Sequence, residues 1–245
     1  IGLANGHNQN DFDELILKGK NVIFEGVQKW DEKVLIQARA LFERLLQKDK
    51  MPWLTHYYMG YADYRLSLYY QSKNNQSLST KYLDEGIEHL RESIKSKDDF
   101  AESHALLSNL LGQKIGTDPA LGMTLGPESG FELQRAKQLD EKNPRVLFIS
   151  AMSAYFTPPE FGGSQTRAVE QMKAAIDLFK KEKIEDPRLP DWGHTEALTW
   201  LAKFYMQEKK WELAKQNLEK ALKIDPQNQF AKMVQSQLEQ KRAQE

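Results

Sequence analysis

The sequence contains no cysteine. That excludes disulfide bridges, thiolate zinc sites and a cysteine nucleophile together, and leaves the redox compartment open. An excess of one charge is missing too: 34 Lys+Arg stand against 35 Asp+Glu, a formal net charge of -1. No global field draws such a chain to nucleic acid or an anionic membrane surface, so nucleic-acid binding is not expected. Long hydrophobic runs are also absent. The longest, VLFISAMSAYF from Val146 to Phe156, falls well short of the ~20 apolar residues that cross a bilayer, and no membrane insertion is expected. Strand signals are nearly missing, with no alternating run bounded by Asn-Gly or Asp-Gly turns. An all-α chain remains.

What is present is a repeated helical pattern. In WELAKQNLEKALKIDPQN, Trp211 to Asn228, the residues Ala214, Leu218, Ala221 and Asp225 are spaced to share one helix face. The same template fits from Ala38, Gly86, Ser129 and Ala168. Each copy starts on a small residue and carries a large apolar residue four positions later: Phe42, Leu90, Leu133, Met172 and Leu218. Three positions further stand Leu45, Ser93, Ala136, Ala175 and Ala221. The starts lie 48, 43, 39 and 46 residues apart, so the match is a repeat and not one amphipathic helix.

A second helical pattern precedes each copy: Phe12 to Val27, Trp53 to Tyr70, Ala101 to Ile115, Pro144 to Phe156 and Thr195 to Met206. The unit is therefore a helix pair. Asp99 reads as an N-cap with Glu102 three residues on, Pro144 suits a first helical turn, and Pro187 and Pro226 mark helix ends. A lone pair cannot bury both its faces, so consecutive pairs must stack, and small residues at the crossings let their backbones approach.

The stretch Thr195 to Asn228 is 34 residues long and carries Leu198, Leu201, Ala202, Tyr205, Ala214, Leu218, Ala221 and Pro226. In this it resembles the tetratricopeptide repeat family, whose unit is an antiparallel helix pair of about 34 residues. The resemblance implies a right-handed α-α superhelix, a solenoid of about five pairs in a single domain over 1–245. Its units fall at 11–50, 51–98, 99–142, 143–182 and 195–228, and a capping helix at 229–243. The first four are degenerate, being lengthened by loops expected at Gln71 to Thr80, Gly116 to Gly130, Thr157 to Ser164 and, before the last unit, Lys180 to His194. TPPEFGG and DWGH within these loops resemble those of a bacterial group of exported or envelope-associated repeat proteins. The opening Ile1 and the polar NGHNQND after it give the same expectation, a periplasmic or otherwise exported protein, with the cytoplasm as the alternative.

Catalytic signatures are scarce. There is no H-E-x-x-H among His7, His56, His89, His104 and His194. Glu85 and His89 share a helix face and could hold a metal if His56 or His104 came close; packing is the expected role and no metal site is assigned. GPESG, Gly126 to Gly130, is not a nucleophile elbow and reads as the first turn of a helix. FGGSQTRAVE, Phe161 to Glu170, lacks the P-loop lysine and reads as a tight turn followed by an N-cap. Lysines around Lys180 and Lys209 are offset by Glu182, Glu185, Asp186, Glu208 and Glu212. Neither an enzyme nor a cofactor is expected.

Aromatic residues are more informative. Tyr57, Tyr61 and Tyr64 form a stripe at helical spacing with Arg65 beside it. If the first helix of each pair lines a concave surface, these residues face a groove that would receive a peptide or protein partner, with Lys203 and Met206 at its far end. The other reading is that the rings fill space between units. A small-ligand or hydrolytic site built from Glu128, Glu160, Asp191 and His194 on the loops is the alternative function, and self-association as a homodimer is a third.

Overall fold

The computed structural model describes residues 2–48 and 50–243, with side chains from residue 11 onward; His7 lies outside the described side chains. The described residues form eleven α-helices and two short 3-10 turns joined by irregular connections, with no β-strand among them. The helices are α1 (Gly2–Lys29), α2 (Glu32–Leu46), α3 (Pro52–Ser72), α4 (Gln76–Ser96), α5 (Ala101–Thr117) and α6 (Gly122–Leu139). They continue with α7 (Pro144–Phe156), α8 (Gln165–Phe179), α9 (His194–Gln207), α10 (Trp211–Ile224) and α11 (Gln229–Arg242).

The chain divides into two compact units. The first comprises Ile1–Val27, Asp31–Leu139 and Ile184–Pro190; the second comprises Gln28–Trp30, Asp140–Lys183 and Asp191–Glu245.

In the first unit, helices pack as consecutive pairs, α3 on α4 and α5 on α6, with α2 against α3 and α4 against α5. The repeated template is what makes the pairing close. Ala38, Phe42 and Leu45 are buried on α2, Gly86, Leu90 and Ser93 on α4, and Leu133 and Ala136 on α6. Ser129 is half-buried because its hydroxyl is used in the crossing: it donates to the Ser108 carbonyl oxygen at 3.0 Å while the Ser108 hydroxyl donates to its own at 2.8 Å. Glycine makes the tightest approach. A Cβ on Gly19 of α1 would lie 2.4 Å from the Phe42 ring of α2. Apart from the half-buried His56, helix α3 is buried on every face from Leu54 to Ser67, the polar Asp63 and Arg65 included.

Segment 184–190 is a strap on this unit. Lys20 on α1 donates to the carbonyl oxygens of Pro187 and Leu189 at 2.5 and 2.6 Å, and the Tyr58 hydroxyl donates to that of Arg188 at 2.5 Å. Arg188 in turn bridges Asp13 and Asp186 at 2.9 and 2.8 Å.

In the second unit, α7 packs on α8, α8 on α9, α9 on α10, and α11 on both α9 and α10. Ala168, Met172, Ala175, Ala214, Leu218 and Ala221 are all buried at the crossings. Pro144 opens α7 as expected, with the Asn143 side chain accepting from Arg145 N at 3.0 Å. Arg145, 3 % exposed, reaches the Glu182 carboxylate and the Trp192 carbonyl oxygen, the latter at 3.1 Å.

Three local expectations need correction. Gln71 to Thr80 is not a loop: α3 and α4 run through it to a tight turn at Lys73–Asn75, where Asn74 takes the left-handed conformation (φ 56°) and Asn75 caps α4. Much of Gly116 to Gly130 is helical as well, so Pro127 sits inside α6 and not in its first turn. Proline's fixed φ is compatible with helix and costs one backbone hydrogen bond, here on the exposed side of the turn. Asp99 does not cap α5; the helix starts after Phe100, and the Asp99 carboxylate takes Lys97 at 2.5 Å. By contrast, Phe161 to Ser164 is the expected turn, with Gly162 at φ 91° and Ser164 capping α8.

Candidate functional site

The tyrosine stripe is interior. Tyr57, Tyr61 and Tyr64 are 0, 4 and 6 % exposed, and Arg65 is 5 % exposed. The expectation that these rings stand open along a groove is corrected by packing within the first unit. Phe100 meets Tyr57 edge-on at 5.2 Å, and Tyr57 lies parallel to Tyr61. The Arg65 guanidinium lies over the rings of Tyr61 and Tyr64 at 4.7 and 4.9 Å and donates to the Tyr61 hydroxyl at 2.6 Å. Side chains of the same unit cover them.

At the expected far end, Met206 is buried as well. Lys203 is different. It is half-buried on α9, with its ammonium 4.2 Å from the Trp200 ring centroid and 5.7 Å from that of Phe230 on α11. Trp200 meets Phe156 of α7 edge-on at 5.6 Å and Phe230 at 5.7 Å. Tyr155 and Phe204 stack at 3.9 Å beneath them, which fixes α7 against α9. The result is an aromatic face with a cation in its middle, carried on three helices of the second unit. Phe156 is 60 % exposed. Burial, and then the charge of Lys241, lower the Lys203 pKa.

Sequence reasoning found Lys203 and missed Phe156, Trp200 and Phe230. One signal was available: Leu198, Leu201, Ala202 and Tyr205 define the apolar face of α9, and Trp200 falls outside it. A tryptophan on the polar side of a helix needs a reason.

A second cluster lies in the first unit, where α2, α3 and α4 meet. Asp63, 0 % exposed, accepts from Arg39 Nε at 2.6 Å through Oδ1, and Arg39 also reaches Glu85 at 2.8 Å. The other oxygen, Oδ2, has no hydrogen-bond partner and stands 3.9 Å from His89 Nε2. His89 Nδ1 is 3.1 Å from His56 Nδ1. Burial pushes Asp63 up to about 7 against the pull of Arg39, and burial followed by the neighbouring His56 pushes His89 down to about 4. Among the described residues no three His, Asp or Glu side chains form a ready-made metal set.

The loop residues of the alternative site are divided between the two units. Glu128 of the first unit is gripped by Arg91 through both carboxylate oxygens at 2.9 and 3.0 Å. In the second unit His194 stacks on Phe179 at 5.6 Å, while Glu160 is exposed on the 3-10 turn Pro159–Phe161. A shallow groove beside α4 is lined by Asp84, Glu88, Arg91 and Lys114, whose charges pair among themselves.

Consecutive helix pairs crossing at small residues define a helical repeat protein. The family model described as tetratricopeptide repeat matches residues 195–228, the α9–α10 pair and its flanking turns. That pair matches the tetratricopeptide repeat, and the other helix pairs follow the same architecture with longer, degenerate units. No curated protein matches the chain in sequence. Among solved structures it is similar to the HusA haemophore from Porphyromonas gingivalis, with TM-score 0.65 and 20% identity over 81% of this chain and 93% of that one. It is also similar to a thermophilic TPR protein from Thermus thermophilus, with TM-score 0.62 and 15% identity over 90% and 98% of the two chains. Both likenesses concern the fold.

Proposed function

We propose that the chain is a non-catalytic interaction module and that the aromatic face of α7, α9 and α11 receives a protein segment carrying an apolar side chain next to an acidic group. The fold supports an interaction or scaffold role in general; the finer reading rests on Lys203. Its ammonium lies on the Trp200 ring with no carboxylate paired to it among the described residues, and Phe156 and Phe230 flank it. Aromatic rings held on packed helices give contact area at little entropic cost, and a desolvated cation selects for negative charge. Tyr57, Tyr61, Tyr64 and Arg65 enter this reading as the packing that holds the first unit in shape.

The test is selection from a displayed peptide library. Enrichment of acidic-apolar sequences that is lost in Trp200→Ala and reversed in charge preference by Lys203→Glu supports the proposal. Enrichment of basic or purely polar sequences, or enrichment indifferent to both substitutions, overturns it. Export belongs to the same proposal, and fractionation of the source cells checks it.

A second reading uses the same rings. Partly exposed aromatic rings, Phe156 foremost, also stack a planar macrocycle, and one structure of similar fold is that of a haemophore. Titration with haemin separates the two: a Soret shift that vanishes in Trp200→Ala favours the macrocycle, and its absence favours the peptide.

A further inference from the structure

The histidine pair of the first unit has a geometry that the interaction role does not use. His56 is on α3 and His89 on α4, and their Nδ1 atoms face each other at 3.1 Å with ring centroids 5.3 Å apart. Two imidazole nitrogens bound to one zinc-sized ion at about 2.0–2.1 Å lie roughly 2.9 Å apart at a right angle and roughly 3.3 Å apart at the tetrahedral angle. The observed separation falls between these limits, and the rings, which now point nearly head-on at each other, have to turn toward a common ion to share it.

The second observation is the unpartnered oxygen of a fully buried carboxylate. Metal-binding histidines almost always direct their other ring nitrogen to a carboxylate or carbonyl, which fixes the tautomer and leaves the ligating nitrogen bare. Asp63 is placed to do this for His89: Oδ1 is held by Arg39 at 2.6 Å, while Oδ2 has no hydrogen-bond partner and stands 3.9 Å from Nε2. The chain of groups runs Arg39, Asp63, His89, then the gap between the two Nδ1 atoms, then His56.

We propose that His56 and His89 chelate one late first-row transition-metal ion through their Nδ1 atoms, with Asp63 orienting His89 from behind and the ion tying α3 to α4. This site is independent of the aromatic face of the second unit.

With no metal, the 3.1 Å contact is a hydrogen bond between two neutral rings. Asp63 favours the Nε2–H form of His89, so the shared proton belongs to Nδ1 of His56. On coordination His56 exchanges through solvent to its own Nε2–H form, and no net proton is released. Both rings are half-buried, not sealed, so an ion can reach them. Glu92, one helical turn beyond His89, acts electrostatically on both rings and is held at 3.1 Å by Lys95. Water and, after release from Lys95, Glu92 complete the coordination. Imidazole donors select zinc, nickel or copper over magnesium and calcium.

The experiment is calorimetric titration of the tag-free full chain with Zn2+ and with Ni2+, alongside thermal melting. The expected result is one ion per chain, a Tm that rises with metal, and an affinity at least about tenfold weaker in His56→Gln and in His89→Gln. Should His89→Gln fail to fold, the half-buried His56→Gln decides, with far-UV circular dichroism confirming its helicity. No binding by the unsubstituted chain, or binding that His56→Gln leaves unchanged and that therefore belongs to other histidines, overturns the proposal.

Discussion

Gly60 and Gly86 meet backbone to backbone where α3 crosses α4: a Cβ on Gly60 would lie 3.1 Å from the Gly86 carbonyl oxygen and 2.7 Å from Cγ of Leu90. Alanine is the better helix former by about 1 kcal/mol, but overpacking such a crossing costs about 1–3 kcal/mol. The clash should win, so Gly60→Ala is expected to lower the Tm. Gly112 on α5 provides the opposite case, because nothing lies within 4 Å of a Cβ there. Gly112→Ala is expected to stabilise by roughly 0.5–1 kcal/mol. Thermal or urea melts of the two variants check both signs.

Arg145 is 3 % exposed and pairs with Glu182, which is itself 19 % exposed. Removing one member of a buried pair strands the other charge, at about 3–5 kcal/mol. Glu182→Ala is expected toward the lower end of that range, because the buried guanidinium it leaves still has the Trp192 carbonyl oxygen and the Phe179 ring beside it. Replacing both together, Arg145→Met with Glu182→Leu, should cost much less than the sum. A double-mutant cycle by urea denaturation measures the difference, and additive losses would contradict the coupling.

The strap on the first unit responds to acid. The Arg188 hydrogen bond holds the Asp186 pKa below its ordinary 3.8. For a carboxylate whose folded pKa is depressed, the stabilisation is complete above the unfolded value and is lost as pH falls through the folded one. The contribution is therefore full at neutral pH and fades below 3.8. Asp186→Asn is expected to lower the Tm at pH 7 and to converge with the parent chain in stronger acid. Hydrogen exchange at 184–190 should show the same convergence.

The repeat was legible because its signal is periodic and local. A small residue, then a large one four positions on, recurs five times, and 14 of the 15 template residues are buried, with only Ser129 half-exposed. Helix ends were less legible where breakers were read too strongly. Pro127 and its flanking glycines suggested a loop, yet tertiary packing carries α6 through them. The site was least legible. A tyrosine stripe at Tyr57, Tyr61 and Tyr64 has the same spacing whether it faces water or a neighbouring helix, and only the position of Phe100 and Arg65 decides which. The proximity of His56 to His89, 33 residues apart, comes from the α3–α4 crossing and is invisible to spacing within one helix.

Burial separates residues that hold the fold from residues that meet a partner, and two aromatic substitutions should divide along that line. Tyr57 is 0 % exposed among Tyr58, Tyr61 and Phe100, so Tyr57→Ala opens a cavity and is expected to cost roughly 3–5 kcal/mol. Any loss of peptide binding in that variant should follow the unfolded fraction and disappear when the temperature is lowered enough to refold it. Trp200 sits half-exposed against Phe156, Lys203 and Phe230, where truncation leaves the helix crossings of the second unit intact. Trp200→Ala should therefore lose binding with a much smaller change in Tm, and the loss should persist at every temperature at which the chain is folded. If Trp200→Ala instead unfolds the second unit while Tyr57→Ala binds poorly at full stability, the working surface lies on the first unit, and the aromatic face of α7, α9 and α11 is packing.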